Sequence, residues 1–113
     1  MKSLIILLLL PICFFSQKKI NQEKFKDLIL TESFLIIDVR TPVEFKEGNI
    51  KNAVNIDYFS KSFSENISTL DKQKNILVYC AAGGRSALAA SEFKKLGFKK
   101  VFDLIGGYDN WKE

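Results

Sequence analysis

The stretch "NILVYCAAGGRSALAASEF", residues 75–93, decides how this chain reads. A continuous apolar run from Ile76 to Tyr79 ends at Cys80. Such a run fits a strand buried on both faces. Four small residues follow, Ala81 to Gly84, and then Arg85 and Ser86. From 85 to 96 the spacing of Leu88, Ala89, Phe93 and Leu96 predicts a helix with one apolar face, stopped by Gly97. The unit is therefore strand, tight loop, helix, with a cysteine at the join. In open α/β sheets ligands bind outside the carboxyl ends of strands, and Cys80 stands at such an end.

On either side of this unit the same alternation continues. Phe25, Leu28 and Ile29 recur at helical spacing after Asn21, a good N-cap. Residues 34–39, "FLIIDV", predict a buried strand. "TPVEFKEG" predicts a short helix, with Thr41 as cap, Pro42 at the first helical position and Gly48 as stop. A strand is expected over 53–56, a helix over 63–70, a strand over 101–104 and the start of a last helix in "GGYDNW", 106–111. Strands alternating with helices predict an α/β fold, with a mostly parallel sheet of about five strands and helices on both faces.

The 113 residues suffice for one domain, and 47% apolar residues with ten phenylalanines give it a dense core. Charge is +4, but the lysines fall in short pairs such as Lys94/Lys95 and Lys99/Lys100, not in a stripe with aromatics, so nucleic acid is not the expected partner. The chain has no histidine, which removes Ser-His and Cys-His pairs within it and any histidine-based zinc site. Its two cysteines are far apart, so no CxxC motif exists. No metal or cofactor is expected.

Residues 1–16 are set apart. Lys2 precedes an apolar run from Leu4 to Phe15, broken by Pro11, which is short for a bilayer span of about 20 residues. The shape is that of a signal peptide or N-terminal anchor, ahead of a domain over 17–113. Cys13 raises lipidation as a further possibility, although Ile12 departs from the small residue expected before a lipidated cysteine. Each version exports the domain, to the periplasm or envelope of a bacterium, and any membrane contact would come through this segment. A lone thiol kept in an exported domain points to use rather than packing.

The loop supplies the physical means for that use. First-turn amides of a helix lack intrahelical partners, and a curl of small residues can turn further N–H groups inward. Gly83 and Gly84 permit such a curl, and Ala81 and Ala82 keep its rim small. A sulfur at the centre would sit among donors at the positive end of a helix, which favours the thiolate. Arg85 would add charge or fix the loop through a carboxylate, and Ser86 would cap the helix or bond the sulfur.

At this point the chain resembles the single-domain rhodanese (thiosulfate sulfurtransferase) family from about Phe34 to Trp111. "LIIDVRTPVEFKEGNIKNAVNI" resembles that family's first signature, "YCAAGGRSALAA" its active loop with four residues between cysteine and arginine, and "LIGGYDNW" its closing element. The resemblance implies a sulfurtransferase. Cys80 would take a sulfane sulfur from thiosulfate or a persulfide and pass it to cyanide, a small thiol or a protein thiol. Ala81, Ala82, Gly83, Gly84, Arg85 and Ser86 would form the active loop and bind substrate, with Asp38, Arg40 and Glu44 as supports that surface ion pairs would equally explain. Asn49 stands where the family often has histidine, and the alanines leave the rim without charge, so thiosulfate is not singled out as donor. A non-enzymatic persulfide carrier or partner-binding module is the alternative. A small phosphatase fits less well, because related phosphatase loops place five residues, not four, between cysteine and arginine.

Overall fold

The computed structural model describes residues 18–31 and 33–113, so the expected N-terminal signal or anchor lies outside the described residues. Among the described residues, five strands and four helices alternate. They are β1 (Lys18–Ile20), α1 (Gln22–Ile29), β2 (Phe34–Asp38), α2 (Pro42–Glu47), β3 (Val54–Asn55), α3 (Phe63–Ser68), β4 (Asn75–Tyr79), α4 (Gly84–Lys95) and β5 (Val101–Leu104). All four strand pairings are parallel, in the order β1-β5-β4-β2-β3. The expected α/β class and five-stranded sheet are what the chain forms.

Local signals place these elements. Asn21 caps α1 by accepting from the Lys24 amide, and Thr41 and Glu44 close a reciprocal capping box over α2, with Pro42 in its first turn. α4 begins one residue earlier than its periodicity predicts, at Gly84, and Gly97 ends it with φ +101°. Leu88 departs from expectation. It is 56% exposed, while Ala89, Ala90 and Phe93 are buried. The buried face of α4 is centred on small residues, which lets the helix lie close to the sheet. The last helix is a single 3-10 turn, Tyr108–Asn110. β1 was not apparent in the sequence: its three residues "KKI" bury only Ile20, so polarity hides a strand that pairs at the sheet edge with β5.

Parallel strands bury both faces, and two cores follow. One joins Phe63 and Ile67 of α3 with Ala89, Ala90 and Phe93 of α4, against Ile37, Ile76, Val78 and Val101. The other joins Phe25 of α1 with Ile36, Leu77, Tyr79 and Leu104. The strand order sets this arrangement. From β2 the chain moves outward to β3, and from β4 it moves the opposite way to β5. Right-handed crossovers then put α2 and α4 on opposite faces. Between the ends of β2 and β4 lies the point where direction reverses, the usual crevice for ligands in such sheets.

Candidate active site

Cys80 follows β4 at that crevice, 1% exposed, with the α3/α4 core beneath it. Its Sγ accepts a hydrogen bond from the Gly83 amide at 3.0 Å and lies 3.4 Å from Ser86 Oγ. Ser86 is fully buried and also donates to the Gly83 carbonyl at 3.2 Å, so it braces the loop from inside the first helical turn. Gly83 itself has φ +132°, a backbone state that favours glycine. The sequence leads to this loop because a strand feeds the cysteine to the sheet edge and Gly83 permits the reversal into α4. Among the described residues, the first-turn amides of Gly84, Arg85 and Ser86 make no backbone hydrogen bond, which leaves them facing the helix start as open donors.

The loop is also held from below. The closing element turns under it, with the Tyr108 amide donating to the Cys80 carbonyl at 2.8 Å and the Asp109 amide to the Ala81 carbonyl at 2.9 Å. Gly107 makes this approach possible. Its φ is +58°, and a Cβ there would run into the carbonyls of Cys80 and Ala81. The residues "GGYDNW" therefore tie down the cysteine loop through main-chain bonds.

Of the three expected supports, the structure brings one to the loop. Glu44 pairs with Arg85 through two bonds, Nη1 to Oε1 at 2.8 Å and Nη2 to Oε2 at 3.1 Å. Arg85 first, and then its own bonds to Thr41, hold the Glu44 carboxyl down to about 2, against the penalty of partial burial. The same pairing keeps Arg85 firmly protonated, and its guanidinium stacks 5.3 Å from the exposed ring of Phe59. Ala82 and Gly84 are exposed at the rim, and half-buried Ala81 and Gly83 beside them carry no charge either.

Asp38 and Arg40 do not reach the loop as side chains. Both are even-numbered positions at the end of β2, and alternation along the strand turns them to the α1 face, away from Cys80. There they form a buried pair, not the surface ion pair that was the other reading: Arg40 Nη2 meets Asp38 Oδ2 at 2.7 Å, at 5% and 0% exposure. Arg40 also donates to the Gly48 carbonyl at 2.7 Å and lies over the rings of Tyr79 and Tyr108, 5.6 and 4.4 Å away. Burial opposes its charge and the Asp38 bonds restore it. Burial and the neighbouring Asp38 carboxylate push the Tyr79 phenol up, while the Ile50 amide donates to its oxygen. This cluster supports the loop at one remove, through Tyr108. Asn49, in the place where histidine was noted as common, donates to the Phe45 carbonyl at 2.9 Å, a bond that closes the end of α2.

Asp103 was missed by sequence reading. It is 1% exposed on the Cys80 side of β5, with Lys19 Nζ on its Oδ2 at 3.1 Å. Its Oδ1 has no hydrogen-bond partner of normal geometry, and the Ser86 hydroxyl is close enough to act on its charge. Burial raises its pKa, with Ser86 and Lys19 opposing. No sequence signal marks it, since a charged residue within "VFDL" reads as an exposed strand position.

A buried thiol at a strand end, ringed by small residues and helix-start donors, marks a candidate cysteine-based site. The comparisons make the class specific: residues 21–113 match the model of the rhodanese-like domain, and the chain belongs to that family. It is 34% identical over 95 residues to the thiosulfate sulfurtransferase GlpE of Coxiella burnetii, covering 84% of this chain and 87% of that protein. It is 36% identical over 85 residues to chloroplastic thiosulfate sulfurtransferase 16 of Arabidopsis thaliana, covering 66% and 71%. A rhodanese-like domain protein from Staphylococcus aureus superposes with a TM-score of 0.74 at 28% identity, over 86% of this chain and 93% of that one.

Proposed function

We propose that this protein transfers sulfane sulfur through a persulfide on Cys80. Family membership supports sulfurtransferase activity in general, and the observation that carries the persulfide reading is the 3.0 Å bond from the Gly83 amide to Cys80 Sγ at the start of α4. That donor and the positive helix end are placed to bind a sulfur anion formed during the transfer. The thiolate attacks the outer sulfur of a donor, a new S–S bond forms at Cys80, and the donor's own S–S bond breaks with its electron pair leaving on sulfite or on a thiolate. The terminal sulfur of the persulfide then carries negative charge, and the open amides of Gly84 to Ser86 are the groups placed to bind it. A nucleophilic acceptor attacks that terminal sulfur and releases Cys80 as thiolate.

Donor choice follows from charge. Arg85 is already paired with Glu44, and the rim residues Ala81 and Ala82 are neutral. Among the described residues of the loop and its rim, the mouth therefore offers no unpaired cation to a dianion, which favours a low-molecular-weight persulfide over thiosulfate. Phe59, 67% exposed beside Arg85, adds an apolar contact for such a donor. The four-residue spacing from Cys80 to Arg85 supports a sulfur-sized cradle over a phosphate-sized one. Lys2 and the apolar run Leu4–Phe15 support export of the domain, which cell fractionation tests.

The test is mass spectrometry of the protein after incubation with glutathione persulfide or thiosulfate. An added mass of about 32 Da on Cys80, removed by cyanide and missing in Cys80→Ser, is expected. Absence of the adduct with every donor would sink the persulfide reading, and release of phosphate from an aryl phosphate would replace it with a phosphatase.

A further inference from the structure

The sheet has two distinct ends, because all its strands run the same way. Cys80 lies at the carboxyl end of β4. At the amino ends of β1 and β5 the chain opens a cavity of about 230 Å³, lined by Lys18, Lys94, Lys99, Lys100, Val101 and Phe102. Three separate pieces of chain converge there. Lys18 starts β1, in register with Phe102; Lys94 comes from the last turn of α4; Lys99 and Lys100 lead into β5. No carboxylate lines the cavity, and none of these four lysines makes an ion pair among the described residues. Lys94 Nζ instead donates to the Lys99 carbonyl at 3.0 Å. Four lysines and no carboxylate lining one small cavity concentrate positive charge there, which attracts an anion from outside.

The sequence indicates which anion. Lys18 follows the apolar run Leu4–Phe15 by three residues, a reach of about 10 Å when extended. That distance is about one Debye length at physiological salt, within which cations feel an anionic lipid surface.

We propose that this lysine-lined end docks on the phosphate headgroups of an anionic lipid surface. The face is separate from the sulfur chemistry and would stand if that chemistry failed. It fixes orientation, because the loop of Cys80 lies at the opposite ends of the strands, a sheet's length away at about 17 Å, and opens away from the membrane.

The experiment uses the full chain with vesicles of phosphatidylcholine alone or mixed with phosphatidylglycerol. Lysines are labelled with an amine-reactive ester and read by mass spectrometry, and binding is read by flotation. Labelling of Lys18, Lys94, Lys99 and Lys100 is expected to slow at least fivefold on the mixed vesicles only, with Lys46, Lys51 and Lys61 unchanged. The double variant Lys99→Gln, Lys100→Gln is expected to lower the preference for mixed vesicles about tenfold, and Lys99→Arg, Lys100→Arg to retain it. Far-UV circular dichroism checks that each variant folds. Equal protection on both vesicle types, or a preference untouched by the glutamine variant, would overturn the proposal. So would protection of the same four lysines by an RNA oligomer but not by vesicles.

Discussion

Two arginine–carboxylate pairs flank the same crevice and do different work. Asp38–Arg40 is buried on the α1 face, wrapped by Tyr79 and Tyr108 and bonded to the Gly48 carbonyl. Glu44–Arg85 sits at the mouth, with side chains 32% and 19% exposed, and bridges α2 to the first turn of α4. Geometry is bidentate in both. What separates them is water. A buried pair cannot lose one partner without stranding a charge, whereas a partly exposed pair can be broken and resolvated. The first therefore governs whether the crevice exists, and the second governs how the loop is aimed and charged.

The contrast can be broken most forcefully from the inside. Asp38→Ala leaves the Arg40 guanidinium unpaired at 5% exposure and is expected to cost about 3–5 kcal/mol in guanidinium denaturation. Next comes Gly107→Ala. Its Cβ would collide with the Cys80 and Ala81 carbonyls at a positive φ, so a loss of about 1–3 kcal/mol is expected, together with slower alkylation or sulfur loading of Cys80. By contrast, Glu44→Gln is expected to change stability by about 1 kcal/mol or less. It would free the Arg85 charge at the mouth and so raise the ratio of thiosulfate to persulfide turnover; an unchanged ratio in kcat/KM would show that the pair does not set donor preference.

The smallest effect is on pH. Glu44 is held at about 2 in the fold, below its unfolded range near 4.5, so the pair's contribution is fully present above about pH 4.5 and fades as pH falls toward 2. The difference in urea midpoint between the wild-type chain and Glu44→Gln should accordingly shrink across that window and be flat above it. A difference that persists at pH 2 would contradict the assignment.

Much of this site was legible because its chemistry is local. "CAAGGRS" is contiguous, and one strand, one loop and one helix place all of it. Glu44 was legible as a support but not as the partner of Arg85, since 41 residues separate them. Asp38 and Arg40 were expected as supports of the loop, yet their facing depends on strand alternation relative to Cys80, which follows a different strand. Asp103 and β1 were illegible for one reason: each is a polar segment buried or paired by tertiary contacts, and local pattern assigns polar residues to the surface. Leu88 is the reverse case, an apolar residue on a helix whose buried face is set by Ala89, Ala90 and Phe93.

Burial of Cys80 also governs which covalent partners it accepts. A disulfide requires the two Cα atoms to approach to about 4.4–6.8 Å. A sulfur seated beneath its own loop, 1% exposed, does not grant that approach to the cysteine of a second folded domain. With Cys80 so buried, non-reducing electrophoresis of Cys13→Ser should show a single-chain band until the protein is unfolded.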